Sequence, residues 1–230
     1  MGVTFKVNPK KLVKDKVSTP YSPRHLVIRQ RSVIVDKASD VIVDALFSTP
    51  VLVIKMNHSV DVVEKLCLQE FRKGYKGYKK SNVGGWQSGN ILDSDTPFPI
   101  IKDIEGVAQD FAARYLFIGK KIEIPNAWIN INGKKDSNLI HTHPGSILSG
   151  VYYVKTPKDC GNLVFHHPAL TAIERDWRFN EETNHTTMNS VVWSYTPKED
   201  FLYIFPSWIK HLVQPNMNSK KRISISFNVW

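Results

Sequence analysis

The strongest constraint on the fold is the change in residue pattern after Gly119. From there to Trp230, short segments rich in β-branched and aromatic residues alternate with Gly, Pro, Asn and Asp. This spacing is typical of an antiparallel sandwich or barrel. The segments are KIEIPNAWININ, SILSGVYYVKTP, GNLVFHHP, SVVWSYTP, DFLYIFPS and KRISISFNVW. The C-terminal half is therefore predicted to be a β-structure.

The residues before this half predict helices that support one face of it. Residues 59–73 and 99–117 carry apolar side chains near helical spacing, and each segment has suitable capping residues at an end. A strand interrupted by Pro50 is predicted over 45–56. The glycine-rich stretch 79–90 predicts a loop around a large aromatic residue.

The length of the chain favours one domain with an arm. With 230 residues and 42% hydrophobic composition, it can bury one sizeable core. We expect a basic arm over 1–44 and one domain over 45–230, with helical support in 45–120 and the β core in 121–230.

The formal net charge of +10 raises the question of an anionic partner. Many of the basic residues lie within the first 31 positions, and RKGYKGYKK at 72–80 holds another group. No known DNA- or RNA-binding motif accompanies them. A solvated basic surface and binding to nucleic acid or another polyanion therefore both remain open.

Cysteine usage and hydropathy point to the cytoplasm. Cys67 and Cys160 lie far apart and form no metal-binding or disulfide spacing, so we expect reduced, buried thiols. No apolar run approaches the roughly 20 residues of a membrane span, and the N-terminus lacks the apolar core of a signal peptide. The expectation is a soluble, unexported protein without membrane contact.

A pair of histidines suggests a metal site. His141 and His143 are two residues apart in LIHTHPG, so both imidazoles share one side if the segment is extended. By itself the pair fits solvated or structural histidines as well as a metal site. His211, between apolar residues in FPSWIKHLVQP, adds a third imidazole.

The last β segment has one polar and one apolar face. Arg222, Ser224, Ser226 and Asn228 alternate with apolar residues. On a surface strand such a face is simply wet. In a closed β-structure it would line a common interior with the histidines, and its polar groups would then need a ligand.

These motifs together carry a family resemblance. The segments HTHPGSILSGVYYVKTP, GNLVFHHP and FPSWIKHLVQPNMNSKKRISISFNVW resemble the core of the 2-oxoglutarate- and iron(II)-dependent oxygenases, which are distantly similar to prolyl 4-hydroxylases and include phage-encoded members. The resemblance covers about 45–230, including SNVGGWQSG, and is strongest from Trp128 onward. It implies a mainly β fold with flanking helices, a double-stranded β-helix of the jelly-roll, cupin-like type.

The resemblance also assigns residues. It implies iron(II) ligation by His141 and His211, and a pairing of Arg222 with the far carboxylate of 2-oxoglutarate. A guanidinium suits that task because its planar fork holds a carboxylate with two hydrogen bonds. Auxiliary contacts to the co-substrate are expected from Ser224, Ser226 and Tyr153.

One departure from the family pattern affects the metal site. The usual motif is His-x-Asp or His-x-Glu, and this chain has His143 where the carboxylate belongs. His143 is expected to ligate, giving three histidine ligands. The alternatives are that it lies behind the ligands while water or an anion fills the position, or that the site has lost activity.

The remaining polar and aromatic candidates are weaker. The turn histidines His166 and His167 could line the mouth of the pocket, but a structural role is predicted for them. Asp136 is out of register to replace the missing carboxylate, although a loop could bring it near. Residues that could line a substrate cleft are Trp86, Gln87, Trp128, Asn130 and Asn132, although core packing is the predicted role of the two aromatic residues among them.

The expected function is a 2-oxoglutarate- and iron(II)-dependent dioxygenase that hydroxylates an unknown substrate, with dioxygen as the other co-substrate. If the protein is phage-encoded, its location is the host cytoplasm. One alternative is a three-histidine iron dioxygenase of the cupin kind that does not use 2-oxoglutarate. The other is a metal-free jelly-roll binding or structural module.

Overall fold

The fold is described here from a computed structural model, which defines residues 47–171, 186–187 and 189–230. Residues 47–230 form one compact unit. The predicted basic arm over 1–44 lies outside the described residues. No helix in the described part of the chain is long and apolar enough to span a membrane.

Two α-helices and eleven β-strands make up the described unit. The helices are α1, Val60–Arg72, and α2, Ile100–Tyr115, so both predicted helices are present within a few residues. A 3₁₀ turn covers Ile91–Asp93. The strands are β1 Leu52–Lys55, β2 Asn82–Val83, β3 Trp86–Gln87, β4 Asn126–Asn132, β5 Ser137–His141, β6 Leu148–Lys155, β7 Leu163–His166, β8 Val192–Tyr195, β9 Phe201–Pro206, β10 His211–Val213 and β11 Arg222–Val229.

The strands form two antiparallel sheets. The larger sheet has the order β1-β9-β6-β11-β4-β3, and the smaller has the order β2-β5-β10-β7-β8. This arrangement confirms the predicted jelly-roll architecture, mainly β with supporting helices. β11 lies in the middle of the larger sheet and pairs with β4 on one side and β6 on the other.

Each long strand of the larger sheet divides its side chains between two environments. On β11, Ile223, Ile225 and Phe227 are buried in the main hydrophobic core with residues of both helices. The alternate positions face the space between the sheets. There a smaller apolar cluster packs, which includes Tyr203 and Phe205 of β9. The helices therefore cover one face of the sheet and leave the other for the site.

Two local predictions need correction. The strand predicted over 45–56 is confined to Leu52–Lys55, after Pro50 rather than across it. The stretch 79–90, predicted as a loop, contains β2 and β3. They are joined by Gly84 and Gly85, whose φ values of 67° and 66° fit the left-handed region that glycine occupies without steric cost. This tight turn passes the chain from the smaller sheet to the larger one.

Candidate metal centre

Three histidines meet at one end of the smaller sheet. His141 ends β5 and pairs with His211, the first residue of β10. His143 lies two residues beyond the end of β5, where its backbone N–H donates to the Ser207 carbonyl at 3.0 Å. The ring centroids are 4.3 Å apart for His141 and His211, 4.9 Å for His141 and His143, and 5.2 Å for His143 and His211. One ligand nitrogen from each residue lies within 4.8 Å of the other two.

Backbone carbonyls orient two of these rings. The Nδ1 of His141 lies 2.7 Å from the Leu139 carbonyl oxygen, and the Nδ1 of His211 lies 2.9 Å from the Ile209 carbonyl oxygen. A carbonyl only accepts, so Nδ1 carries the proton in each hydrogen bond. The neutral ring then presents the Nε2 lone pair, which is how metal-binding histidines are commonly held.

Burial keeps the three imidazoles neutral. Desolvation lowers the pKa of His211 to about 3 and that of His143 to about 4, with a smaller contribution in each case from the neighbouring His141. Desolvation also lowers the pKa of His141. Since a metal competes with protons for the same lone pairs, rings that are already neutral bind it without releasing a proton.

A buried cation lies in the same cavity as the histidines. Arg222 is only 1% exposed, and its Nη1 donates to the carbonyls of Cys160 and Gln214. Its Nη2 has no hydrogen-bond partner among the described residues, and neither has the hydroxyl of the buried Tyr153. Burial lowers the pKa of Arg222 and raises that of Tyr153, although the nearby guanidinium opposes the rise for Tyr153.

The cavity that joins these groups has a volume of about 840 Å³. Its floor is a ladder of paired residues on β4 and β11, in which Asn132 stands opposite Arg222 and Asn130 opposite Ser224. Asn130 also donates from Nδ2 to the Ser226 hydroxyl at 3.1 Å. Ser224, Ser226 and Tyr153 all line this space with Arg222 and the three histidines, so every predicted site residue faces one cavity.

One lining residue needs correction. Trp128, predicted to be core, lines the cavity with its ring 5.8 Å from that of His143. Gln87, Asn130 and Asn132 line it as well, as residues that could form a cleft. Trp86 does pack as predicted, at 5.1 Å from Phe71 in an edge-to-face contact. The strand alternation of NAWININ was the signal that places Trp128, Asn130 and Asn132 on one face.

The structure adds cavity residues that the sequence analysis missed. Asn126 extends the β4 face, Asn138 comes from β5, and Tyr78 and Lys80 contribute from the segment before β2. The signal for Asn126 was available, since it continues the alternation of Trp128. Nothing local in the sequence indicates that residues 78 and 80 reach the cavity.

The other candidate ligands lie outside the histidine cluster. The Asp136 carboxylate accepts the Gly133 backbone N–H at 2.7 Å and is not part of the histidine cluster. His167 accepts the Ala169 N–H at 3.0 Å through Nδ1, a local turn contact, and His166 lies on β7. Among the described residues, the cluster that could hold a metal consists of His141, His143 and His211 alone.

The donor set fits iron(II) and an anionic co-substrate. Imidazole nitrogens are suitable ligands for iron, and three of them converge here. Among the described residues no carboxylate pairs with the buried Arg222, so its guanidinium has a free edge for an external carboxylate. The metal and the anion would thus occupy the same cavity.

The sequence matches a family model over residues 126–228, which span β4 to β11. The family is described as "Putative 2OG-Fe(II) oxygenase". The matched region contains all seven predicted site residues. No curated protein matches the sequence.

Solved structures of similar fold come from several sources. A prolyl-4-hydroxylase from Pseudomonas putida is 12% identical with a TM-score of 0.54, over 79% of this chain and 92% of its own. A prolyl hydroxylase from Trichoplax adhaerens, solved with a peptide of hypoxia inducible factor, is 16% identical with a TM-score of 0.56, over 78% of this chain and 83% of its own. A viral collagen prolyl hydroxylase from Paramecium Bursaria Chlorella virus-1, in a 2OG complex, is 13% identical with a TM-score of 0.52, over 78% of this chain and 94% of its own. At these identities the likeness establishes the fold.

Proposed function

We propose that this chain, a 2-oxoglutarate- and iron(II)-dependent oxygenase by its family match over residues 126–228, is a hydroxylase with a three-histidine iron site. The ligands are His141, His143 and His211. The co-substrates are 2-oxoglutarate and dioxygen. One oxygen atom of dioxygen enters succinate, carbon dioxide is released, and the other oxygen atom converts a C–H bond of the substrate to C–OH.

The observation that carries this proposal is the incompletely paired Arg222. A guanidinium that is 1% exposed and lacks a carboxylate partner among the described residues is unfavourable, because burial removes its hydration. A dicarboxylate co-substrate supplies the missing anion. The free Tyr153 hydroxyl can donate to the same carboxylate.

The residues of the chain perform binding and orientation. When bound, iron and 2-oxoglutarate supply the oxidising power for the C–H bond. His141 and His211 are held by carbonyl hydrogen bonds so that Nε2 faces the cluster. Arg222 and Tyr153 fix the far end of the co-substrate, with Ser224 and Ser226 beside them. The buried apolar cluster of β6 and β9 excludes water from one side of the cavity.

Replacement of the usual carboxylate by His143 changes the charge of the site by one unit. Three neutral imidazoles leave the full charge of the metal uncompensated, and the cavity then has a stronger attraction for a dianion. The ring of His143 lies 5.2 Å from that of His211 with an interplanar angle of 22°, within the same cluster. We therefore assign His143 as a ligand rather than as a residue behind the ligands.

The alternative of a three-histidine dioxygenase without 2-oxoglutarate makes no use of Arg222. The alternative of a metal-free module makes no use of the converging imidazoles. Both alternatives leave the Nη2 of Arg222 and the hydroxyl of Tyr153 buried without a hydrogen-bond partner.

The test is anaerobic calorimetry with iron(II) followed by 2-oxoglutarate. The proposal expects one iron per chain, and 2-oxoglutarate binding that depends on the metal. In air, slow conversion of 2-oxoglutarate to succinate without a substrate should follow. Iron binding without 2-oxoglutarate binding would instead support the first alternative, and no iron binding would support the second.

A further inference from the structure

A basic and aromatic segment is fixed at the mouth of the cavity. Residues 75–80, YKGYKK, are called the basic rim below. The Trp86 indole Nε1 donates to the Tyr75 carbonyl at 3.1 Å, and the Tyr78 N–H donates to the Gln87 carbonyl at 2.9 Å. The rim is therefore attached to β3, whose Gln87 lines the cavity.

The close contact between the rim and β3 depends on Gly77. A Cβ atom at this position would lie 2.7 Å from the Trp86 ring carbon Cδ1 and 3.1 Å from the Gln87 carbonyl oxygen. A larger residue would push the segment away from the strand. A glycine at position 77 is thus needed for the segment to lie against β3, beside the cavity.

The lysines of the rim have no anionic partner in the described part of the protein. Lys76, Lys79 and Lys80 are exposed, and no carboxylate of the described residues forms an ion pair with them. Lys80 also lines the cavity. In contrast, the neighbouring Lys73 is paired with Glu70 at 2.8 Å. The rim consequently carries three exposed lysines without a carboxylate partner among the described residues, and one of them, Lys80, lies at the cavity itself.

The tyrosines of the rim expose large aromatic surfaces between these cations. Tyr75 is 60% exposed and Tyr78 is 57% exposed. A Cβ atom on Gly89 would be 3.4 Å from the Tyr78 ring, so this ring lies against the chain that borders the cavity. Aromatic side chains interleaved with cations are the combination with which proteins bind single-stranded nucleic acids, because every base has a face that can stack.

The walls inside the rim can recognise a base edge. Two amide side chains line the cavity near the rim: Gln87 lies on β3, to which the rim is attached, and Asn138 pairs with Asn82 just after the rim. Amide side chains offer both donors and acceptors, as the edges of bases do. The volume of about 840 Å³ lies within the range of about 300–1,000 Å³ for small-molecule pockets.

We propose that the basic rim binds a single-stranded nucleic acid and that one of its bases enters the cavity as the primary substrate. This inference rests on the proposed oxygenase function for the chemistry, but the binding itself does not require it. We choose a single strand because a base within a duplex would first have to be extruded from the stack, at a cost in free energy, before it could enter the cavity. An acidic peptide would satisfy the lysines and leave the exposed aromatic faces and the amides without partners.

The experiment is a fluorescence anisotropy titration of the full chain with a short labelled single strand of mixed sequence, as DNA and as RNA. Replacing Lys76, Lys79 and Lys80 together by Gln should weaken binding by about tenfold or more and reduce the salt dependence by about two units on a log–log plot. Replacing Tyr75 and Tyr78 by Leu should weaken binding by about tenfold at constant charge.

A matched control removes three other exposed lysines, Lys158, Lys220 and Lys221, which do not line the cavity. This triple Gln variant has the same net charge as the rim variant and should retain most of the affinity. Equal losses in both variants, or none in the rim variant, would overturn the proposal and assign binding to general charge or to another part of the chain. Tighter binding of a labelled polyglutamate peptide than of the single strand would overturn it in favour of an acidic peptide.

Uncoupled turnover of 2-oxoglutarate separates this proposal from the oxygenase function. This rate is measured on the wild-type protein without substrate, so it does not depend on any substitution in the rim. If the wild-type protein binds the strand through the rim but turns over no 2-oxoglutarate, then the oxygenase function fails and the binding site stands.

Discussion

Replacing Arg222 by Met separates the affinity for 2-oxoglutarate from the stability of the fold. The change removes the buried cation and keeps most of the side-chain volume. In the folded wild-type protein, the free edge of the guanidinium is the proposed partner of the far carboxylate. Without it, that carboxylate is buried against apolar and neutral groups.

The expected loss of affinity is large. Removing one partner of a buried charge pair costs about 3–5 kcal/mol. Since about 1.4 kcal/mol corresponds to a tenfold change, the dissociation constant for 2-oxoglutarate should rise by at least about two orders of magnitude. Iron affinity in the absence of 2-oxoglutarate should stay near that of the wild type, because Arg222 is not a ligand.

The expected change in stability is small. The carbonyls of Cys160 and Gln214 each lose a hydrogen-bond donor, which costs about 1–3 kcal/mol at the buried Cys160 and less at Gln214, an exposed residue. Removal of a desolvated and incompletely paired charge offsets this by about 1–4 kcal/mol. At the middle of these ranges the two effects nearly cancel, so the free energy of unfolding of the protein without 2-oxoglutarate should change by about 1 kcal/mol.

The assay is anaerobic calorimetry of 2-oxoglutarate into the iron-loaded protein, with urea unfolding of the same samples. Arg222→Lys is the matched control, since it keeps the charge but lacks the planar fork, and it should bind with intermediate affinity. A folded Arg222→Met protein that binds 2-oxoglutarate as tightly as the wild type would refute the assignment.

Three further predictions concern the ligands, the sheet and the arm. His143→Ala should lose iron about as severely as His211→Ala in an anaerobic titration, and His143→Asp should retain iron; near-wild-type affinity of His143→Ala would mean that this ring is not a ligand. Gly150→Ala should destabilise the fold by about 1–3 kcal/mol in urea unfolding, because its Cβ would lie 2.7 Å from the Tyr203 carbonyl oxygen; unchanged stability would show that the strands can separate to admit a methyl group. Deleting 1–44 should leave iron binding and uncoupled 2-oxoglutarate turnover intact, and a folded truncation that cannot bind iron would show that the arm completes the site.

The long elements could be predicted because the spacing of their apolar residues matches the face that is buried in the core. β11 alternates Arg222, Ser224 and Ser226 with apolar residues, and the structure places the two sets on opposite faces of the sheet. The helix α2 has a proline at its start and an apolar stripe that enters the core. In both cases a local pattern is sufficient, since one face of each element is buried in one continuous core.

The short strands could not be predicted because they are defined by their pairing with neighbouring strands and not by their own sequence. β10 has only three residues, yet it lies between β5 and β7 and holds His211 opposite His141. β3 has only two residues and is defined by its pairing with β4. Strands of this length carry no measurable period of their own.

The cavity lining was the main error at the site. Large aromatic residues between strands usually pack in the core, and that expectation was wrong for Trp128. Both faces of the larger sheet are covered, but the face toward the smaller sheet holds the cavity beside an apolar cluster. The alternation along β4 does separate the core face from the cavity face. Ala127, Ile129 and Ile131 occupy the core face, so Trp128 lies with the asparagines on the cavity face.

The central position of β11 has a consequence for how the protein folds during synthesis. The ribosome makes this strand after β4 and β6, the two strands that it separates in the larger sheet. Until it is made, the facing edges of β4 and β6 expose backbone groups that attract other strands. The pairing of β4 with β11 joins residues about 90 to about 100 positions apart, from Asn132 with Arg222 to Asn126 with Asn228, and such long-range closures are slow. The nascent chain should therefore depend on chaperones for longer than a protein in which neighbouring strands pair in order.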